Sequence, residues 1–196
     1  MFCINTSSVT LTITSKTSDK SSIVHIARHG LEQADKPNPE ALLRLVTKKI
    51  DLIFTEMHKN GGFKHINRDT RIIVLVGAPW QFGATSKLKI AKETKFLITE
   101  KLIMDTVRTD FDNLHKDLTI MNIELSDYRL NGYVHENPLG KSTDILEFSA
   151  YVSTVPTLVK TSVTESIATH LPHHVVEFHS YASAVNETQQ RDVASE

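Results

Sequence analysis

The chain has 196 residues, of which 40% are hydrophobic and 23% charged, a composition typical of a globular protein with one domain or two small ones. Its formal net charge of −1 gives no electrostatic attraction to nucleic acid or to an anionic membrane surface, so neither is expected as a partner. Cys3 is the only cysteine, which excludes an intrachain disulfide framework, and no secretory signal or membrane-spanning run is visible. We therefore expect a cytoplasmic protein.

Near its start the chain alternates between apolar and polar residues. Val9, Leu11 and Ile13 alternate with threonines and predict a strand. Residues 17–20 predict a turn and residues 23–27 a second strand, so the pattern indicates a β-hairpin near the start.

A helix and a buried strand are predicted next. Asn38 is a suitable N-cap, Pro39 a suitable first helical residue and Asn60-Gly61-Gly62 a suitable stop. The apolar residues at helical spacing between them are Leu42, Val46, Ile50, Ile53 and Met57. Residues 71–77 contain an uninterrupted apolar run rich in Ile and Val, which predicts a strand buried on both faces.

The middle of the chain, residues 81–154, predicts a unit of strand, helix, strand and strand. Weak alternation over residues 86–90 indicates the first strand, and Thr99 can cap the helix. One helix face consists of Ile103, Val107, Phe111 and Leu114, and the next strand alternates at Thr119, Met121, Ile123 and Leu125. The last strand carries Leu146, Phe148, Tyr151 and Val152.

Two turn signals separate the last two strands of this unit. Asn131-Gly132 supplies two residues that tolerate the positive φ of a type I′ hairpin turn. Asn137-Pro138-Leu139-Gly140 has Pro second and Gly fourth, as a type I turn prefers. A helix begun by Pro156, a strand over residues 175–178 and a polar tail from residue 186 are predicted to end the chain.

These turns, in this order, resemble a known family. The run from Asp127 to Tyr133, the turn from Asn137 to Lys141 and the strand from Leu146 to Tyr151 look like the insert subdomain of the bacterial cell-division protein FtsA. The remaining elements resemble the first nucleotide-cleft subdomain of the actin-like ATPases. The resemblance implies an α/β (α+β) fold. A partial actin-like, ribonuclease H-like subdomain (residues 1–80 and 155–185) would be interrupted by a strand-helix-strand-strand (SHS-type) insert (residues 81–154), with a polar tail at 186–196.

The resemblance also places a phosphate loop at Cys3-Ile-Asn-Thr-Ser-Ser-Val9. Thr6 and Ser7 match the family's loop, whereas Cys3 stands where a metal-organising Asp is expected and Asn5 where Gly is expected. Because a thiol cannot replace a carboxylate in organising magnesium, Asn5, Thr6 and Ser7 are a degenerate nucleotide site and no catalytic residue is expected. The family's second phosphate loop and second half have no counterpart in these residues, so ATP and magnesium are expected as cofactors only if that half is supplied.

The function implied by the resemblance is a cell-division component that acts through protein contacts of its insert. Its partners would be division proteins or further copies of itself, and it would reach the inner face of the membrane only through them, without an anchor of its own. The candidate contact residues are those of the two turns: Asn131, Gly132, Tyr133, Asn137, Pro138 and Gly140. One alternative is a cytoplasmic actin-like scaffold of type IV pilus assembly, which carries a similar insert. Another is the N-terminal part of an active actin-like ATPase.

Two further groups have both a functional and a structural interpretation. The histidines of residues 170–179 could ligate zinc, but Pro172 breaks the helical spacing and no metal site is predicted. Cys3 is typical of an inert strand cysteine.

Trp80 and a group of lysines are also interpreted structurally. Trp80 follows a strand exit that could be a ligand loop, and packing between two subdomains is the favoured interpretation. Lys87, Lys89, Lys92 and Lys95 favour a solvated strand edge that resists unwanted pairing.

Overall fold

A computed structural model describes residues 1–16, 20–32 and 38–185. It divides the chain into two compact units: the first unit is Met1–Phe82 with Val155–Glu196, and the second is Gly83–Thr154. The strands are β1 (Phe2–Ile4), β2 (Ser8–Lys16), β3 (Ser21–Gly30), β4 (Ile72–Val76), β5 (Phe82–Leu97), β6 (Leu118–Leu130), β7 (Tyr133–Val134), β8 (Ser142–Pro156) and β9 (Val176–Ser180). The α-helices are α1 (Pro39–Lys59), α2 (Glu100–Leu114) and α3 (Thr157–His170), and a 3₁₀ turn spans Gly62–His65. Residues 181–185, the last ones described, are also helical.

The first unit contains a five-stranded sheet in the order β3-β2-β1-β4-β9. β1 and β3 both pair antiparallel with β2, whereas β4 pairs parallel with β1 and with β9. The mixed α/β fold class predicted from the sequence is confirmed.

The core of the first unit lies between this sheet and helices α1 and α3. Asn38 caps α1 through its Oδ1, which accepts from the backbone N–H groups of Glu40 (3.0 Å) and Ala41 (3.4 Å). The buried face of α1 consists of Leu43, Val46, Ile50, Ile53, Phe54 and Met57. Leu42, one of the apolar residues at the predicted spacing, is only half-buried because the helix turns Leu43 inward, and Phe54 adds a buried ring that the predicted spacing left out.

The second unit contains a four-stranded sheet in the order β5-β8-β6-β7, with α2 packed on one face. The Oγ1 atom of Thr99 caps α2 by accepting from the backbone N–H of Leu102 at 3.2 Å. The buried core consists of Phe96, Ile98, Ile103, Val107, Phe111, Leu130, Leu146, Phe148, Ala150 and Val152.

Two element predictions need correction, and two others fall outside the described residues. β1 was not predicted as a strand, so the start of the chain is a meander and not a lone hairpin. β6 sends Leu118 and Ile120, and then Ile123 and Leu125, to the core. The simple alternation predicted for β6 is therefore wrong. The core-facing residues are even-numbered at Leu118 and Ile120 and odd-numbered at Ile123 and Leu125, as happens where a strand holds an extra residue. The predicted turn at residues 17–20 lies mostly, and the polar tail wholly, outside the described residues.

Candidate functional site

The first candidate site is the loop from Asn5 to Ser7, which joins β1 to β2 at the carboxyl end of the parallel strands. The N–H of Gly77, just after β4, donates to the carbonyl of Ile4 at 2.9 Å. A Cβ built on Gly77 would lie 3.7 Å from the Asn5 Cβ and 3.8 Å from the Tyr181 Cβ. The ends of β1, β4 and β9 therefore meet, at the edge where open α/β sheets usually bind their ligands.

The Asn5 side chain occupies the hydrogen-bond donors of this loop. Its Oδ1 accepts from the backbone N–H of Ser7 at 2.9 Å and of Ser8 at 2.9 Å. The same oxygen also lies 3.1 Å from the Ser7 hydroxyl and 3.4 Å from the Ser8 hydroxyl, and the Asn5 N–H closes the turn on the Ser8 carbonyl at 3.2 Å. In a phosphate loop such donors point at the ligand. In this loop the donors instead bond to the Asn5 side-chain oxygen of the same chain.

Asn5 therefore stabilises the loop differently from the sequence-based expectation. Asn5 stands where the resembling family has Gly, yet it does not adopt the positive φ that Gly allows, since the described non-glycine residues with positive φ are Asp127 and Asn131. The turn is instead stabilised by side-chain hydrogen bonding to the following backbone, which is typical of Asn.

Cys3 is half-buried in β1, where it lies opposite Thr10 of β2 and Leu75 of β4. Burial raises the pKa of the Cys3 thiol, so the side chain stays protonated near neutral pH. A neutral thiol at this position neither attacks a substrate nor binds magnesium.

The histidines considered as zinc ligands lie in separate contacts. The Nε2 atom of His170 is 3.1 Å from Asp51 Oδ1, and that of His174 is 2.8 Å from the Asn67 carbonyl. The Nε2 atom of His179 is 3.7 Å from Glu177, whose carboxyl pKa is held below its usual value mainly by a hydrogen bond from Arg71. Within the described ranges no three His, Cys, Asp or Glu side chains are grouped as a metal site.

The second candidate site is the turn between β6 and β7. Asn131 and Gly132 have φ of 49° and 87°, and Leu130 pairs with Tyr133 across them. The predicted two-residue turn with positive φ at both central positions is confirmed. The turn is tied to β8, because the Asn131 N–H donates to the Ile145 carbonyl at 2.9 Å and the Ile145 N–H donates to Asn131 Oδ1 at 3.0 Å.

The loop around Pro138 differs from its prediction by one residue. The Lys141 N–H donates to the Pro138 carbonyl at 3.2 Å, so the turn begins at Pro138 and Gly140 occupies its third position with φ of 76°. The type I turn predicted for residues 137–140 is therefore wrong, since positive φ at the third position is the type II pattern. Asn137 sets this register by accepting from the Leu139 N–H at 3.0 Å.

Both turns lie at one end of the second sheet. The Ile98 N–H after β5 bonds the Lys141 carbonyl at 2.9 Å, and β8 begins directly afterwards beside the Asn131 turn. Three apolar side chains there are exposed, Tyr133 by 76%, Val134 by 71% and Leu139 by 46%. We call these three residues the tip. Val134 and Leu139 were missed because a single exposed apolar residue beside a turn carries no periodic signal, and Pro138, predicted as a contact, is buried.

Trp80 is buried, and the four lysines of residues 87–95 lie on an edge strand. Trp80 is 4% exposed, which excludes it as an open aromatic platform for a ligand. The four lysines of β5 lie on an edge strand, so the predicted lysine-bearing edge is confirmed. Lys89 pairs with Glu147 at 3.2 Å, and the Lys92 ammonium lies 5.1 Å from the Phe96 ring centre.

Comparisons with known proteins add a fold-level similarity. No protein-family model matches the sequence, and no curated protein matches it significantly. Among solved structures the chain is similar to a chain of a "PilM-PilN type IV pilus biogenesis complex", with 12% identity and a TM-score of 0.49. That match covers 89% of this chain and 44% of the other, so the chain spans less than half the length of the structure it matches. No described helix is long and apolar enough to span a membrane.

Proposed function

We propose that this chain is an actin-like docking component that binds a partner protein through the tip of its second unit and does not hydrolyse ATP by itself. The proposal is carried by the contrast between the two candidate sites. In the loop of the first unit, the donors that would hold a phosphate are bonded to Asn5 Oδ1. At the tip, three apolar side chains extend into solvent from turns fixed by backbone hydrogen bonds.

The tip has the properties of a small protein-binding surface. Tyrosine is enriched among the residues that dominate binding energy, because it buries a large rigid area and keeps a polar end. The turn that carries Tyr133 is already ordered by its bonds to Ile145, so little conformational entropy is lost on binding.

Calorimetry is expected to detect no magnesium-dependent binding of ATP to this chain. A phosphate would have to displace Asn5 Oδ1 from the N–H groups of Ser7 and Ser8, and Cys3 stands where the family's carboxylate would organise the metal. An ATP affinity in the micromolar range would contradict the proposal and would favour an ATPase whose second half is encoded further on.

Replacing Tyr133, Val134 and Leu139 together with serine is expected to abolish partner binding without lowering stability by more than about 0.5 kcal/mol. The three side chains are exposed, so their removal leaves no cavity. A photoreactive amino acid at Val134 should crosslink one partner in cells, and the serine changes at the other two positions should remove that crosslink.

The matched control carries the same photoreactive residue at Val175, which is 79% exposed on the first unit. The same adducts at both positions, or adducts that survive the serine changes, would contradict docking through the tip.

Cell division and type IV pilus assembly are the two settings proposed for this docking. The resemblance of the insert's turns supports cell division, and pilus assembly is retained as the second candidate. Deleting the gene separates the two. Elongated, undivided cells are expected for a division component, and loss of surface pili with normal division would assign the pilus setting.

A further inference from the structure

One edge of the second sheet is long, and among the described strands only the short β7 lies beside it. β6 spans Leu118–Leu130, but β7, its outer neighbour, pairs only with Arg129 and Leu130. The His135 N–H extends the contact to the Tyr128 carbonyl at 2.9 Å. Over residues 118–127 no described strand pairs with this edge. Such an edge is a template for adding another strand.

A groove of about 490 Å³ runs between this edge and α2. β6 lines it with the six consecutive residues 118–123, all of which are half-buried. α2 contributes Met104, Arg108, Phe111 and Asp112. The groove thus offers mixed polar and apolar side chains beside a row of strand backbone, as in domains that bind an added strand.

The two edges of this sheet differ in their protection. β5, at the other edge, carries four lysines, which deter pairing with foreign strands. Residues 118–127 of β6 contain no lysine, arginine or proline, and their acidic residues, Glu124 and Asp127, lie outside the groove. Although β6 is irregular between Ile120 and Ile123, this stretch lacks the lysines that guard β5, and that difference favours use of its edge in binding.

We propose that the β6 edge and its groove bind the same surface of a second copy of the chain, forming a two-fold dimer with a continuous sheet. In a two-fold interface residue i meets residue j of the partner while j meets i. Arg108 and Asp112 are exposed, oppositely charged and one helical turn apart on the groove side of α2. Two copies placed antiparallel bring each Arg108 to the other copy's Asp112, so the surface is complementary to itself in charge as well as in strand pairing.

This dimer is independent of the proposed function, because the edge and the tip are different surfaces. Sedimentation equilibrium of the full chain is expected to show a reversible monomer–dimer equilibrium. Arg108→Asp alone and Asp112→Arg alone should each raise the dimer dissociation constant by about tenfold or more, since each places like charges at both contacts.

An equimolar mixture of these two variants should recover the dimer, because the mixed pair again places opposite charges at both contacts. The double variant Arg108→Asp/Asp112→Arg should recover it for the same reason. Met121→Lys should abolish the dimer by placing a charge on the pairing edge, and it spares the core, since Met121 is not among the residues packed there.

Thr109→Asp and Asn113→Arg are the matched controls, since both residues are exposed on α2 and each lies about 100° around the helix from Arg108 or Asp112, outside the groove. They should leave the dissociation constant unchanged. A monomer at all concentrations would overturn the proposal, as would a dimer insensitive to Arg108→Asp and Asp112→Arg. Assemblies that grow beyond dimers would overturn the two-fold geometry and favour pairing of β6 with the lysine-bearing edge of another copy.

Discussion

Replacing Phe54 with alanine is expected to lower the free energy of unfolding of the first unit by about 3–5 kcal/mol. Phe54 is fully buried in α1, with ring centres 5.6 Å from Phe2, 6.0 Å from Phe63 and 4.5 Å from the stacked ring of His170. Removing it leaves a cavity in contact with β1, the 3₁₀ turn and α3 together. Since domains are stable by only about 5–15 kcal/mol, this loss is a large fraction of the total.

Urea denaturation followed by tryptophan fluorescence measures this effect, because Trp80 is the only tryptophan and lies in the first unit. Leu52→Ala on the same helix is the control, since Leu52 is 38% exposed and should cost less than about 1 kcal/mol. Equal losses for the two variants would show that Phe54 is not the centre of this core.

Replacing Asn131 and Gly132 together with valine is expected to destabilise the second unit by about 2–4 kcal/mol. Both residues have positive φ, which costs an ordinary L-residue about 1–2 kcal/mol each, and β-branched side chains tolerate it least. The change also removes the bond between Asn131 Oδ1 and the Ile145 N–H. The turn should open, and the tip should lose its fixed position.

Hydrogen exchange measured by mass spectrometry localises this effect, with faster exchange expected in peptides from β6 to β8 and unchanged exchange in α1. Asn131→Asp is the control, because Asp-Gly also favours this turn and keeps a side-chain acceptor. Unchanged protection of β6 in the valine variant would contradict the prediction.

The sequence predicted those parts of the fold whose signals are local. The Asn38 cap with Pro39 and the Asn131-Gly132 turn are each decided by residues next to one another, and both are confirmed. β1 escaped prediction because three residues are too few for a pattern, and it is stabilised by pairing with β2 and β4. The residues around Pro138 suit both a type I turn over residues 137–140 and a type II turn over residues 138–141. The hydrogen bond from the Leu139 N–H to the Asn137 side chain stabilises the second of these.

The hydrogen bonding within the candidate loops was not predictable from the sequence. Asn5 was expected in a loop over residues 3–9 as a poor substitute for Gly, and its bonds to the Ser7 and Ser8 N–H groups depend on a loop geometry that residue spacing does not give. The groove beside β6 depends on which strand is missing from an edge, a property of sheet order that no local pattern encodes.

The second unit is one uninterrupted segment, entered through β5 and left through β8, which are neighbours in the same sheet. Gly83 lies against the Tyr151 ring, where a Cβ would collide, so the entering and leaving chains run side by side. A segment whose ends are adjacent can be replaced by another segment, because the first unit has to connect to it at only two nearby points. Binding specificity could therefore be replaced in one recombination event, while the sheet of the first unit stays as it is.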